Sequence, residues 1–401
     1  MKKKNNNSNG LTFIEDDEDL PKNVVKIKKR NRILSTKTFA VLSIFLVTSI
    51  AVIAFWGNIS PTAIVEYIQN LTGNYGENKF PVAYSQGNFK DAAAMGNYID
   101  VLTDTSFILY SSSGKELAVR QHGFLNPQII SSVNKAVIYS EGGKEYKVET
   151  RFNEANDATM NYPITTASVN NSGYYAIVTS SHDYLSELTV FDNDNKNVFK
   201  WYCSQGRIIS CSLSPDNTHV ATIVLTSDNG DIKSDIIIYD LNSKNPISDN
   251  SYSGLLLFSL QYKDKNSISA IGDKEAIFLD GNGNKRSVYS YSDKTLKCYY
   301  NNNGGTSLAF SRYGIGKETT VVSLDNNGGL IGQKNIDTEV RKLCADNDYI
   351  VAFTTAGIDY YSSDYKNGGT LSTTGDILKT LCIKNNVYIF TPGTVYHSTL
   401  K

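Results

Sequence analysis

The chain has 401 residues, and its 39 Lys and Arg against 40 Asp and Glu leave a formal net charge of −1. That balance lacks the basic footprint of a nucleic-acid binder. Five cysteines are an odd number for a disulfide framework, and no Cys-x-x-Cys or Cys/His spacing offers a zinc site.

Residues 1–37 carry Lys2 to Lys4, an Asn/Ser run, an acidic block from Glu15 to Asp19, and a basic block. So little apolar material cannot offset the entropy of ordering, and the segment reads as a disordered tail. Residues 38–57 follow, with no charge and with Phe39, Val41, Leu42, Ile44, Phe45, Leu46, Val47, Ile50, Val52 and Ile53 dominant. At about 1.5 Å per residue a helix over residues 38–56 spans roughly 29 Å, close to the thickness of a hydrocarbon core. Thr48 and Ser49 are tolerated because a helix lets them bond to their own backbone. Trp56 stands at an interfacial position.

Lys22, Lys26, Lys28, Lys29, Arg30, Arg32 and Lys37 precede the stretch, and no Lys or Arg follows before Lys79. The positive-inside bias places the tail in the cytoplasm and the C-terminal region outside, as a single-pass protein of the plasma membrane. A cleaved signal peptide is the rival. The run is long for one and lacks a clean A-x-A site, although Ala51 and Ala54 are small. Residues 58–79 read as a short juxtamembrane helix and linker. Ser60 caps it, Pro61 suits the first turn, Ile64, Ile68 and Leu71 form a stripe, and Gly73 to Asn78 end it.

From residue 80 to 401 there is no long amphipathic pattern. Short runs of Val, Ile, Tyr and Thr alternate with Asn, Asp, Gly and Ser, and Tyr alone occurs 26 times. Second strands are expected at 98–102, 136–139, 174–178, 220–225, 268–271, 308–310, 349–353 and 387–390. Third strands are expected at 107–110, 146–148, 188–191, 236–239, 276–279, 320–324, 358–361 and 395–399. Opening strands carry small residues at Ala94, Ser131, Ala167, Cys211, Ser259, Cys298, Cys344 and Cys382. The interval from 94 to 382, divided by seven, is about 41 residues, the size of a propeller repeat. The expected fold is all-β: an eight-bladed β-propeller behind one N-terminal transmembrane helix. Two merged units would leave seven blades.

The last unit has no outer strand of its own. Residues 80–84 are placed to supply it and close the ring, removing an open sheet edge. Four cysteines occupy the small inner-strand position, where buried free thiols pack as small apolar groups. Cys344 and Cys382, in neighbouring units, are the one pair placed to bridge.

Candidate chemistry is sparse. His122, His182, His219 and His397 show no metal-ligand spacing. Asp192-Asn193-Asp194-Asn195-Lys196 faintly resembles a calcium loop, but Lys196 stands at a ligand position, and a turn between outer strands is expected there. Turns are expected too at Asp280-Gly281-Asn282-Gly283 and Asp325-Asn326-Asn327-Gly328. There is no nucleophile elbow, phosphate loop or dinucleotide fingerprint, so no cofactor is expected. Trp201 is the only Trp past the apolar stretch, which removes the tryptophan docking motif of quinone-cofactor propellers. The Trp-Asp pair of WD40 repeats is also missing, while Ser214-Pro215-Asp216-Asn217 looks like a propeller turn.

The run Arg120-Gln121-His122-Gly123-Phe124-Leu125-Asn126-Pro127, with Gly173 to Thr179 and Tyr184 to Val190, resembles an uncharacterised family. Its members are single-pass membrane-anchored propellers of clostridia-type Gram-positive bacteria. The resemblance implies anchor and propeller but no activity and no site residue. The loop joining the first two units still concentrates polar groups, and Arg120, His122 and Asn126 are the candidate binding residues. Two classes of function follow. One is an extracytoplasmic binding or scaffold module for an envelope protein or wall glycan. The other is an envelope enzyme acting on a wall polymer or small molecule at the propeller channel.

Overall fold

The computed structural model describes residues 43–46, 48–49, 79–302, 305–312, 318–346, 348–371 and 376–400. The expected tail, most of the apolar stretch and nearly all of the juxtamembrane helix lie outside them. The described residues of the stretch are helical, and Thr48 donates to the carbonyls of Ile44 and Phe45 at 3.0 and 2.9 Å. Among the described residues no helix is long and apolar enough to cross a membrane.

The described residues between 82 and 399 form eight antiparallel sheets of four strands. Blade 1 comprises Phe89–Met95, Tyr98–Thr103, Ser106–Tyr110 and Glu116–Gln121. Blade 2 comprises Pro127–Ser131, Ala136–Ser140, Glu145–Glu149 and Glu154–Thr159. Blades 3 to 7 repeat the order, opening with Ile164–Val169, Arg207–Leu213, Leu257–Asp264, Lys294–Asn302 and Val340–Ala345. Blade 8 has Lys379–Ile383, Asn386–Thr391 and Thr394–Thr399, and its outer strand is Val82–Ala83. The first strands of neighbouring blades lie against one another, and those of blades 8 and 1 also meet, so the ring is closed.

Burial explains why the middle strands were so apolar. Tyr98–Thr103 and Ser106–Tyr110 are buried at every position, because both faces of each sheet are covered by neighbouring blades. The outer strand Glu116–Gln121 reaches the rim and keeps exposed residues at its ends and between them. Between blades 1 and 2, Leu102, Phe107 and Leu109 pack with Ile129, Ala136 and Ile138. Each of the Leu, Phe and Ile side chains contributes roughly 1.5–3 kcal/mol on burial. Hydroxyls tie successive blades. Ser186, Ser234 and Thr319 accept the backbone N–H of Ile208, Leu257 and Val340, each at 3.0 Å.

Closure follows the expected route over a shorter pairing. Val82 and Ala83 pair with Val395 and Thr394, and the Tyr84 N–H reaches the Gly393 carbonyl at 3.0 Å. Pro81 brings no N–H to the ladder.

Two expectations change. Blade 4 has a ten-residue hairpin, His219–Asp228 with Asp231–Asp240, much longer than its apolar core predicts. The extension is polar, and Asn229 and Gly230 turn it with positive φ of 51° and 90°. The reading of every cysteine as a free thiol fails for one pair: Cys344 and Cys382 form a disulfide, with Cα atoms 6.0 Å apart. Innermost strands converge on the axis, which brings these two residues within bridging reach. Cys203, Cys211 and Cys298 are free, and burial pushes the Cys211 and Cys298 thiols up to about 12.

Candidate functional site

The loop after blade 1 and the turn between the second and third strands of blade 2 emerge on the same face of the disc. Between them lies a cleft of about 780 Å³. His122, Phe124 and Leu125 line one side, and Glu141, Gly142 and Glu145 the other. Lys147 and Asp157 close the outer end.

Both walls are fixed by hydrogen bonds. The His122 N–H donates to the Thr105 carbonyl at 3.0 Å, and the Glu141 N–H to the Asn126 carbonyl at 2.9 Å. Opposite, the Gly142 N–H donates to the Ile164 carbonyl at 2.8 Å, and the Ile164 N–H to the Gly143 carbonyl at 2.6 Å. Gly142 has φ of 77°, a conformation that a residue with a Cβ rarely adopts.

The three predicted residues reach different places. His122 is in the cleft wall but buried. Its ring lies 3.1 Å from the Thr103 carbonyl through Nε2 and receives the Phe124 N–H at Nδ1, 3.3 Å away. That pattern assigns the proton to Nε2, and burial, the largest influence, holds the ring below its ordinary pKa. The imidazole is therefore neutral and engaged at both nitrogens, stacked on Phe124 with centroids 5.2 Å apart. Asn126 donates to Glu141 Oε2 at 3.1 Å, and Gln128 donates to the same oxygen at 3.1 Å. Asn126 thus sets the carboxylate of Glu141 rather than facing the cleft itself.

Arg120 turns away from the cleft. It donates to Glu149 Oε2 at 2.7 Å and to the Thr150 carbonyl at 3.2 Å, joining blade 1 to blade 2. Glu149 is 1% exposed, and burial outweighs the guanidinium and pushes it up to about 7. Beside it Asp100, fully buried, is pushed by burial up to about 8 while it accepts the Ser131 hydroxyl at 2.5 Å. This network stands behind the cleft and joins the blades that form it.

The cleft carries net negative charge. Lys147 is engaged with Glu154 at 2.8 Å and Asp157 at 3.0 Å. Glu141 and Glu145 face solvent, and Leu125 is 95% exposed at the rim. Such a site can bind a ligand by charge and contact. His122, with both nitrogens engaged, is not poised as a base. Glu141, Glu145, Lys147 and Asp157 were not among the residues predicted from sequence. The available signal was topological: in a propeller the loop between blades and the turn after the second strand share one face.

The other histidines do not join this site. His182 pairs with Asp183 at 3.0 Å on the surface, His219 meets Thr218 at 2.7 Å, and His397 meets Asn386 at 2.9 Å. Among the described residues no cluster of His, Cys, Asp and Glu is arranged to hold a metal. The segment at Asp192 is a turn: Asp192 Oδ1 accepts the N–H groups of Asp194 and Lys196, each at 2.9 Å. Asp280 does the same with Asn282 and Asn284, and Asp325 with Asn327 and Gly329.

Residues 77–400 match the profile of a family described as a family of unknown function (DUF5711). No curated protein matches the chain. Solved structures share the fold at low identity. BamB from Moraxella catarrhalis is 13% identical with TM-score 0.50, over 80% of this chain and 100% of that one. Sqt1 from Chaetomium thermophilum, bound to the N-terminus of the ribosomal protein L10, is 9% identical with TM-score 0.54, over 81% and 100%. The Dos1 propeller is 11% identical with TM-score 0.51, over 69% and 78%.

Proposed function

The chain belongs to that family of unknown function, and we propose that it is a binding or scaffold module, an extracytoplasmic propeller that recruits an envelope protein or wall glycan. The observation that carries this reading is the cleft between blades 1 and 2. Its walls are fixed by backbone hydrogen bonds, its histidine is fully engaged, and it offers carboxylates and a bare leucine to a partner. In this reading His122 and Asn126 shape the wall, and Arg120 holds the two blades together behind it. The placement outside the cell rests on the uncharged residues 38–56 and the seven basic residues before them.

A photo-crosslinking residue at position 125 of the full chain, expressed in its own cells, tests the reading. A reproducible extracytoplasmic adduct is expected. Its yield should fall severalfold with Glu141→Gln and stay unchanged with the remote surface change Lys244→Gln. Crosslinks confined to cytoplasmic proteins would reverse the topology. Turnover of a wall-derived substrate, lost with Glu141→Gln or Asp157→Asn, would favour an enzyme.

A further inference from the structure

A second cavity, of about 550 Å³, is lined only by first strands, from blades 1, 2, 6, 7 and 8. Those strands surround the axis, so this cavity is the axial channel, separate from the cleft at the rim. Its volume lies in the range of small-molecule sites. The wall has an apolar part, with Ala92, Leu343 and Leu381, and an ionic part, with Asp91, Lys342 and Lys379.

The charges in the channel do not cancel. Asp91 Oδ1 accepts the Lys379 ammonium and also the Ala92 N–H at 2.8 Å, so its charge is already matched. Lys342 donates to the Leu378 carbonyl at 2.6 Å, and among the described residues no carboxylate lies within ion-pair distance of it. Among the described residues one ammonium therefore faces the channel without a counter-charge. It has N–H groups to spare, because a lysine carries three. Arg341, beside Lys342 on the first strand of blade 7, and Lys297, on the first strand of blade 6, are exposed but absent from the channel lining. Asp337, Glu339 and Asp376 lie on the connections leading into blades 7 and 8 and are absent from the channel lining.

We infer that the axial channel binds a small organic anion, with its oxyanion group on Lys342 and its apolar body against Leu343 and Leu381. A charge-assisted hydrogen bond fixes the anionic end, and the apolar wall selects for a carbon skeleton. Tyr299, which also lines the channel and packs at a tilt of 45° against Phe258 with centroids 5.4 Å apart, offers ring surface to that skeleton. The inference does not depend on the rim cleft, which shares none of these residues.

Titration calorimetry of the full chain with benzoate, acetate and inorganic phosphate at millimolar concentration tests it. Saturable binding of benzoate is expected, stronger than acetate. Lys342→Gln should weaken it about tenfold or more, the loss of one charge-assisted hydrogen bond. Lys342→Arg, which keeps the charge, should restore most of it. Lys342 is exposed, and thermal melting confirms that each variant is folded. Phosphate binding tighter than benzoate would place a free inorganic anion in the channel instead of an organic one. No saturable signal with any probe, or benzoate binding unchanged by Lys342→Gln, overturns the inference.

Discussion

Val82 pairs in antiparallel register with Val395, so a strand from the beginning of the propeller completes its last blade. The same seam is reinforced by the Lys379–Asp91 ion pair and by the Tyr388 hydroxyl, which donates to the Ser112 carbonyl at 3.2 Å. Tyr84 packs there with Ile99, Tyr110, Tyr388 and Phe390. Closure is thus a matter of both pairing and core.

Breaking the pairing should therefore destabilise the whole ring rather than one blade. Tyr84 donates to Gly393, so alternation along the strand puts Val82 in the bonded set as well. Val82→Pro removes that donor and should cost about 1–3 kcal/mol. Deleting residues 79–86 should cost more, because Tyr84 leaves the core with them. Differential scanning calorimetry should show one transition shifted down in both variants. An unchanged melting temperature would remove the closure argument.

Arg120 gives a second prediction. Its partner Glu149 is buried, so Arg120→Ala removes a charge-assisted hydrogen bond and leaves that carboxyl to take up a proton, and should cost about 1.5–3 kcal/mol. Adding Glu149→Gln removes the titrating carboxyl and should recover part of the loss. Chemical denaturation of the two single variants and the double variant measures the coupling. Losses that simply add would mean the pair is not coupled, and Arg120 would then be free for a partner.

The extent to which the sequence foretold this depends on what each residue contacts. Ala136–Ser140 and Tyr175–Thr179 were legible as strands because burial on both faces demands an unbroken apolar run. The blade 4 extension was not, because Thr226 to Lys233 hold a hairpin through backbone bonds and an Asn-Gly turn without an apolar face. His122 was legible as part of the site loop. Glu141, Glu145 and Asp157 read as ordinary surface acids, and only the alignment of the inter-blade loop with the neighbouring turn gathers them around one cleft. The Cys344–Cys382 bridge was visible as a pairing of neighbouring units, but nothing in the spacing separated it from two packed thiols.

That bridge is directly testable. Alkylation of the denatured, unreduced protein should label three cysteines, Cys203, Cys211 and Cys298, and leave Cys344 and Cys382 linked in one peptide pair by mass spectrometry. Replacing both bridging residues by Ser should cost about 2–4 kcal/mol, the usual worth of such a cross-link. Alkylation of all five would mean that the thiols are free in the cell.

The buried carboxyl of Asp100 sets a dependence on pH. Burial raises it to about 8, while in the unfolded chain it titrates near its ordinary 3.8. Between those values the native state holds a proton that the unfolded chain has released. The native state then binds more protons, so stability falls as pH rises through this window. The contribution is fully present below the unfolded value and is lost by the time pH passes about 8. Glu149, raised by burial to about 7, acts in the same direction over a narrower range. The slope approaches about 1.4 kcal/mol per pH unit for one proton. Melting temperature should therefore decline from pH 5 to pH 8, and Asp100→Asn, which carries no titrating proton, should flatten the decline without lowering stability at pH 8. If Asp100→Asn melts with the same pH profile as the unaltered protein, Asp100 is ionised in the fold, and a counter-charge rather than a proton stabilises it.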